Sequence, residues 1–240
     1  MKVQRHSSEI ISELRLLAQE AVTLAPSVLA IYVIGSLARS THNTLTSDMD
    51  VLVATEDACP CGDLRRFADL FAESSLPIDA IVLRRSILQR VVFPTPVEVM
   101  IKPTGTIVWP DSPKRDAILA IQDATECGLW VCGSEPDYEI PSVPSDLLRR
   151  NIDYLLPYLR THFKNPSLSL CRAAYSYCFH RLCSKVEAGT WALSEMPPRF
   201  HEMIANDLSS YRTGSCYECP GDLLSGMEHD VATHPQSRGV

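Results

Sequence analysis

Residues 29–55 read LAIYVIGSLARSTHNTLTSDMDVLVAT, and the reading of this stretch decides the fold. It opens with an apolar run, 29–34, rich in β-branched residues and of strand length. Gly35 and Ser36 end the run, and after ten further residues Ser47, Asp48, Met49 and Asp50 lead into a second apolar strand, 51–54. Side chains alternate faces along a strand, so Asp48 and Asp50 share one face while Met49, Val51 and Val53 share the other. Two neighbouring carboxylates repel each other unless a cation lies between them, and Mg²⁺ takes one or two carboxylates together with phosphate oxygens. A Gly-Ser turn lets backbone approach a phosphate, with its amides aimed at the anion if a helix starts there. The competing reading is a turn whose Asp residues only cap or hydrogen-bond a loop.

A Gly-Ser turn followed by a paired-Asp strand resembles the DNA polymerase beta-like nucleotidyltransferase superfamily at Gly35, Ser36, Asp48 and Asp50. The loop 37–46 carries no glycine, where members of that superfamily often have one.

Working outward, residues 7–24 form an amphipathic helix pattern with Ile10, Leu14, Leu17 and Ala21 on one stripe, stopped by Pro26. Cys59-Pro60-Cys61-Gly62 makes a turn, and Asp63 is the expected N-cap of a helix to Ala72. A third strand, 77–83, carries Asp79 on the face of Ile81 and Leu83. An acid there is either an edge residue facing water or a third active-site carboxylate beside Asp48 and Asp50. Short elements follow: a helix over 86–93, an edge strand or helical turn over 97–101, a helix over 113–127 and a strand over 129–132 ending at Gly133. Pro136, Pro141 and Pro144 mark a linker, giving a catalytic domain over 1–140 and a helical domain over 141–240. The helical half shows helices over 146–159, with Pro157 near its end, and 166–183. A capping box of Ser184 and Glu187 opens a third, to 193, and two more span 197–208 and 221–231. The expected class is α+β: a mixed sheet with flanking helices, then an all-helical domain.

Composition sets the limits. The net charge of −7 counts against a nucleic-acid partner and suits a cationic substrate. No apolar run has membrane-spanning length and the first ten residues lack a signal-peptide core, so a cytoplasmic protein with no membrane partner is expected, as a monomer. The nine cysteines then read as reduced thiols. Cys59-x-Cys61 lacks a second pair, and Cys216-x-x-Cys219 with His229 and His234 has poor zinc-finger spacing.

The helical half contains Leu170-Cys171-Arg172-Ala173-Ala174-Tyr175 and a run from Ser184 to Leu193, SKVEAGTWAL. With the carboxylates upstream, these make the chain similar to the aminoglycoside 3''-adenylyltransferases, the streptomycin and spectinomycin resistance enzymes. That resemblance implies ATP as co-substrate, Mg²⁺, and transfer of AMP to an antibiotic hydroxyl. Carried over, Asp48 and Asp50 would hold Mg²⁺, Asp79 would be the general base, and Gly35, Ser36, Ser47, Arg172 and Lys185 would contact the nucleotide, with the helical domain completing the nucleotide and substrate site. Read without the family, Arg172 and Lys185 are solvated helix charges. The family usually has glutamate where Asp79 stands, one methylene longer. The segment 95–109 is shorter than in the family and has Pro103-Thr104 near an expected Glu-Trp. His162-Phe163-Lys164-Asn165 stand where an acid commonly binds the drug, making His162 and Asn165 the substrate-side candidates. Two alternatives differ in class: the same chemistry on a protein or RNA acceptor, as in toxin–antitoxin nucleotidyltransferases, or a nucleotide-binding module without activity.

Overall fold

The computed structural model describes residues 7–42, 47–111, 117–133, 140–162, 165–215 and 217–233, without the side chains of 160–162. The chain divides into two compact units, Met1–Val143 and Pro144–Val240.

In the first unit, α1 (Ser7–Leu24) precedes β1 (Val28–Val33), the four-residue α2 (Gly35–Ala38) and β2 (Met49–Thr55). Then come α3 (Cys61–Ala72), β3 (Ile78–Arg84), α4 (Arg85–Gln89), β4 (Val99–Ile101), β5 (Ile107–Val108), α5 (Ala117–Cys127) and β6 (Leu129–Gly133). The six strands form one sheet in the order β5-β4-β3-β2-β1-β6. Only β2 and β3 run parallel, because α3 carries the chain back between them; all other neighbours are antiparallel. The period-2 pattern of β2 and β3 sends Met49, Val51, Val53, Ile78, Ala80 and Val82 into one core with Leu14 and Ala18 of α1 and Phe67 and Phe71 of α3. Leu52, Ala54 and Leu83, on the other face, are buried as well. Both faces of the central strands are therefore covered, except where Asp50 and Asp79 interrupt the apolar run.

Several expectations shift. Asp63 is the third residue of α3, not its cap: Pro60 stands at the N-cap. The Asp63 carboxylate instead accepts from the Ser27 hydroxyl (2.5 Å) and amide (3.2 Å), tying α3 to the start of β1. Those bonds, the Ser27 hydroxyl foremost, hold the Asp63 pKa below its ordinary value. Of the stretch 97–101, Val99–Ile101 is strand, and it is interior, since β4 is flanked by β3 and β5. The 86–93 helix shrinks to α4. The start of the 113–127 helix, at 113–116, lies outside the described residues, as do Pro136, Phe163, Lys164, Cys216 and His234.

The second unit is helical: α6 (Ser145–His162), α7 (Pro166–Phe179), α8 (Lys185–Glu195), α9 (His201–Thr213) and α10 (Gly221–Thr233). No described helix is long and apolar enough to cross a membrane. The expected 166–183 helix stops at Phe179 because His180 takes a left-handed conformation, φ +53°. The turn frees Ser184 to cap α8, accepting the Glu187 amide at 3.0 Å. α7 is the central helix: Ser167 to Tyr177 are all buried save Arg172.

Asp207 of α9 is fully buried and anchors the start of α7. Its carboxylate accepts from the Asn165 side-chain amide (2.8 Å), the Ser167 hydroxyl (2.6 Å) and, more weakly, the Leu168 amide (3.4 Å). Removing it leaves buried donors without an acceptor, each worth about 1–3 kcal/mol. Asp207→Ala is therefore expected to destabilise this unit by roughly 2–4 kcal/mol and Asp207→Asn by less. Denaturant titration by circular dichroism reads this, and midpoints equal to wild type for both variants would show that the network carries no stability.

Candidate active site

The candidate residues of the first unit gather where β1 and β2 meet. The Ile34 amide donates to the Asp50 carbonyl at 3.0 Å, so the chain leaving β1 is tied to the start of β2. Gly35 follows with φ +68°, a conformation that residues with a Cβ rarely adopt. A methyl group there would overlap Oδ2 of Asp50 and lie 3.0 Å from its Cβ. Gly35 is thus required by steric contact with the Asp50 carboxylate, beyond its backbone freedom. Its amide does not face open space: it donates to Oδ2 of Asp123, on α5.

Asp50 is half-buried, and Asp48, just ahead of β2, is exposed. In the parallel register Asp50 stands beside Asp79. Adjacent strands lie about 4.8 Å apart, so the two carboxylates project side by side from one face. The Met49 amide, bonded to the Pro77 carbonyl at 2.9 Å, fixes that register at its start.

Two basic groups that the sequence reading did not single out complete this cluster. Lys102, just past β4, places Nζ 3.3 Å from Oδ1 of Asp79. It is held by a tight turn in which the Lys102 amide donates to the Thr106 carbonyl at 2.9 Å and its carbonyl accepts from Gly105 at 2.8 Å. His42 lies with Nδ1 3.2 Å from Oγ of Ser36. Burial lowers its pKa below the ordinary 6.5, against the opposing pull of Asp48. Ser47 is half-buried beside Asp48. Antiparallel pairing with β3 placed Lys102 across from Asp79, a link that only the β4 assignment would have revealed.

Among the described residues no group of three or more His, Cys, Asp and Glu side chains is close enough to hold a metal ion alone. Asp48 and Asp50 are hard oxygen donors, and a pair of that kind fits an ion such as Mg²⁺ that draws its remaining ligands from phosphate and water.

The remaining candidates belong to the second unit. Arg172 is half-buried, and among the described residues it makes no hydrogen bond or ion pair. Lys185 is the first residue of α8, its Nζ 5.5 Å from the centre of the Tyr211 ring. Asn165 precedes α7 in a left-handed conformation, φ +58°, with its side-chain amide committed to Asp207. That commitment gives it a structural task the sequence did not suggest. The side chain of His162 lies outside the described residues.

Comparison with known proteins adds the following. Residues 14–98 match the family model described as "Nucleotidyltransferase domain", and residues 140–228 match "Aminoglycoside adenylyltransferase, C-terminal domain". No curated protein matches the sequence. Among solved structures, the chain is similar to spectinomycin adenyltransferase AAD(9) from Enterococcus faecialis, crystallised with ATP and spectinomycin. The identity is 16%, the TM-score 0.79, and the match covers 95% of this chain and 100% of that one. A toxin–antitoxin complex with AMP-PNP matches at 17% identity and TM-score 0.29, over 64% of this chain and 87% of that one. A STING-associated CdnE c-di-GMP synthase from Capnocytophaga granulosa matches at 15% and 0.29, over 96% and 81%.

His42 generates a pH prediction. Its folded pKa is depressed, so between pH 6.5 and the folded value the unfolded chain binds the extra proton and stability falls as the pH drops. The loss is complete below the folded value. His42→Gln is expected to flatten the decline in stability between pH 7.5 and 5.5, measured by urea denaturation at both. An unchanged decline would mean that His42 titrates alike in both states.

Proposed function

We propose that this chain, matched by a nucleotidyltransferase domain model and an aminoglycoside adenylyltransferase C-terminal domain model, is an aminoglycoside adenylyltransferase-like transferase that moves AMP from ATP to a hydroxyl of an aminocyclitol antibiotic of the streptomycin or spectinomycin type. The observation that carries the reading is the in-register pair Asp50 and Asp79 on adjacent parallel strands, with Gly35 packed against the Asp50 carboxylate.

In this reading Asp48 and Asp50 would hold Mg²⁺. When bound, the ion supplies positive charge opposing that which develops on the phosphoryl oxygens. The Ser36 and Ser47 hydroxyls donate to phosphate oxygens. The acceptor hydroxyl attacks the α-phosphorus in line; the new O–P bond forms as the bond to pyrophosphate breaks, and the hydroxyl proton passes to a carboxylate oxygen of Asp79. Arg172 supports a phosphate-binding role for the helical unit, since a half-buried guanidinium with no hydrogen-bond or ion-pair partner among the described residues has donors to offer an anion. Lys185, at the start of a capped helix, is the second cation in this role.

A second reading keeps the chemistry and changes the acceptor. Lys102 favours it, because an ammonium already sits on Asp79 where a cationic drug would bring its own charge. Incubation with labelled ATP, Mg²⁺ and a panel of streptomycin, spectinomycin, proteins and RNA separates the two: label on an antibiotic supports the first reading, and label only on a macromolecule supports the second.

Asp50→Asn is expected to cut turnover at least about 100-fold with the fold intact by circular dichroism, the scale of losing a charge that stabilises the transition state. Activity within a few fold of wild type would remove Asp50 from the mechanism. Charge-assisted contacts to phosphate contribute about 1.5–3 kcal/mol, so Arg172→Ala and Lys185→Ala should each weaken ATP binding roughly ten- to a hundred-fold. Calorimetric titration with Mg²⁺ present tests this, and wild-type affinity in both variants would exclude the helical unit from the nucleotide site.

A further inference from the structure

We propose that Asp123 is a positioning residue for the nucleotide site: it holds the Gly35–Ser36 turn against the Asp50 carboxylate and so sets where the serine hydroxyl and the metal-binding carboxylates stand. The inference rests on the reading of Ser36 and Asp50 given above.

Asp123 lies on α5 among Ile118, Ala120, Ile121 and Ala124 and is only 5% exposed. A carboxylate buried in an apolar helix is unfavourable unless it is paired and hydrogen-bonded. Its two oxygens are divided between two tasks. Oδ2 accepts the Gly35 amide. Oδ1 accepts from Nε of Arg39 at 2.9 Å and from its Nη2, with the Cys127 thiol 3.6 Å away. Burial works against the Arg39 cation, but Asp123 and Glu126, the latter at 3.0 Å, more than offset it and hold its pKa above the ordinary value.

The contacts close a ring. The Arg39 amide donates to the Gly35 carbonyl at 3.1 Å, so both polar groups flanking Gly35 trace back to Asp123, one directly and one through Arg39. An Arg–Asp ion pair alone would not need the glycine amide. Gly35 is in turn pressed on Asp50 so closely that no Cβ fits. Any rotation of the turn therefore moves Ser36 and releases the side of the Asp50 carboxylate that Gly35 now confines. Displacements of about 1 Å at a reacting centre cost on the order of 100-fold in rate. Asp123 acts at one remove, touching neither nucleotide nor metal.

Two variants separate this task from plain stability. Asp123→Asn keeps an acceptor for the Gly35 amide and gives up the charge facing Arg39. Asp123→Glu keeps the charge and pushes the acceptor a methylene further along, out of register with Gly35. Binding of Mn²⁺ together with AMP-PNP, followed by the Mn²⁺ paramagnetic resonance signal, is compared with denaturation midpoints for wild type, both variants and Asp50→Asn. We expect Asp123→Asn to lose stability but bind within about threefold of wild type. Asp123→Glu, which leaves the Gly35 amide without its acceptor, should lose no more stability than Asp123→Asn and yet bind at least about tenfold more weakly. Affinity that simply follows stability, or wild-type affinity in Asp123→Glu, overturns the proposal. If Asp50→Asn binds like wild type, it is the reading of the nucleotide site itself that fails, whatever the Asp123 variants do.

Discussion

β2 and β3 run parallel, and a parallel pair cannot be closed by a tight turn; the chain must leave the sheet, cross through α3 and return at the same end. That constraint puts equivalent positions of the two strands side by side, Met49 with Ile78 and Asp50 with Asp79. One face of the pair is then apolar enough to bury α1 and α3, while the other carries two acids at one level. A slip of one residue would send Asp79 into the core and Ala80 toward the site. The Ser27–Asp63 bonds and the Met49–Pro77 backbone bond, at the two ends of the crossover, resist such a slip.

On this frame the charges are arranged in two clusters of different character. Around Asp79 and Asp48 the groups are at least partly exposed: Lys102 and Asp79 retain 37% and 32% of their side-chain exposure, so water and salt weaken their attraction. Asp123 by contrast is buried, with Gly35 and Arg39 half-buried beside it, and both of its carboxylate oxygens are hydrogen-bonded. The exposed cluster can exchange protein partners for ligand ones, whereas Asp123 is tied on both oxygens to the protein. A transferase site needs both, because the groups that meet substrate must stand on a frame that does not relax when they do.

Much of the first unit was legible in sequence because its signals are local. Strand alternation in 49–55 and 78–84, the Gly35–Ser36 break and the Asp48-x-Asp50 spacing each show within a few residues. The same holds for the Ser184–Glu187 cap of α8. What was missed depends on contacts between distant residues. Asp123 sits in an apolar helical pattern that gave no reason to single it out, and Arg39, His42 and Lys102 read as loop polar residues until the fold brings them to their partners. The fate of Asn165 was hidden for the same reason: its partner, Asp207, is 42 residues away on another helix. The end of α7 at His180 was invisible to periodicity, since the apolar spacing continues through Leu182 and Cys183 while the backbone turns away to bury them.

The Gly35–Asp123 bond joins residues 88 apart in sequence, and this bears on the order of assembly. The segment matched by the nucleotidyltransferase domain model ends at residue 98, before α5 begins. During synthesis the strands β1 to β3 and helices α1 and α3 emerge with most of their shared core, so the pairing of β1, β2 and β3 need not wait for α5, whereas β6, beside β1, follows it. The turn does wait, because its glycine amide has no acceptor until Asp123 arrives and the long loop is closed. The pairing of β1 to β3 and the fixed turn are thus acquired at separate moments, and the smallest piece of this chain with a Gly35–Ser36 turn held by Asp123 extends at least through α5.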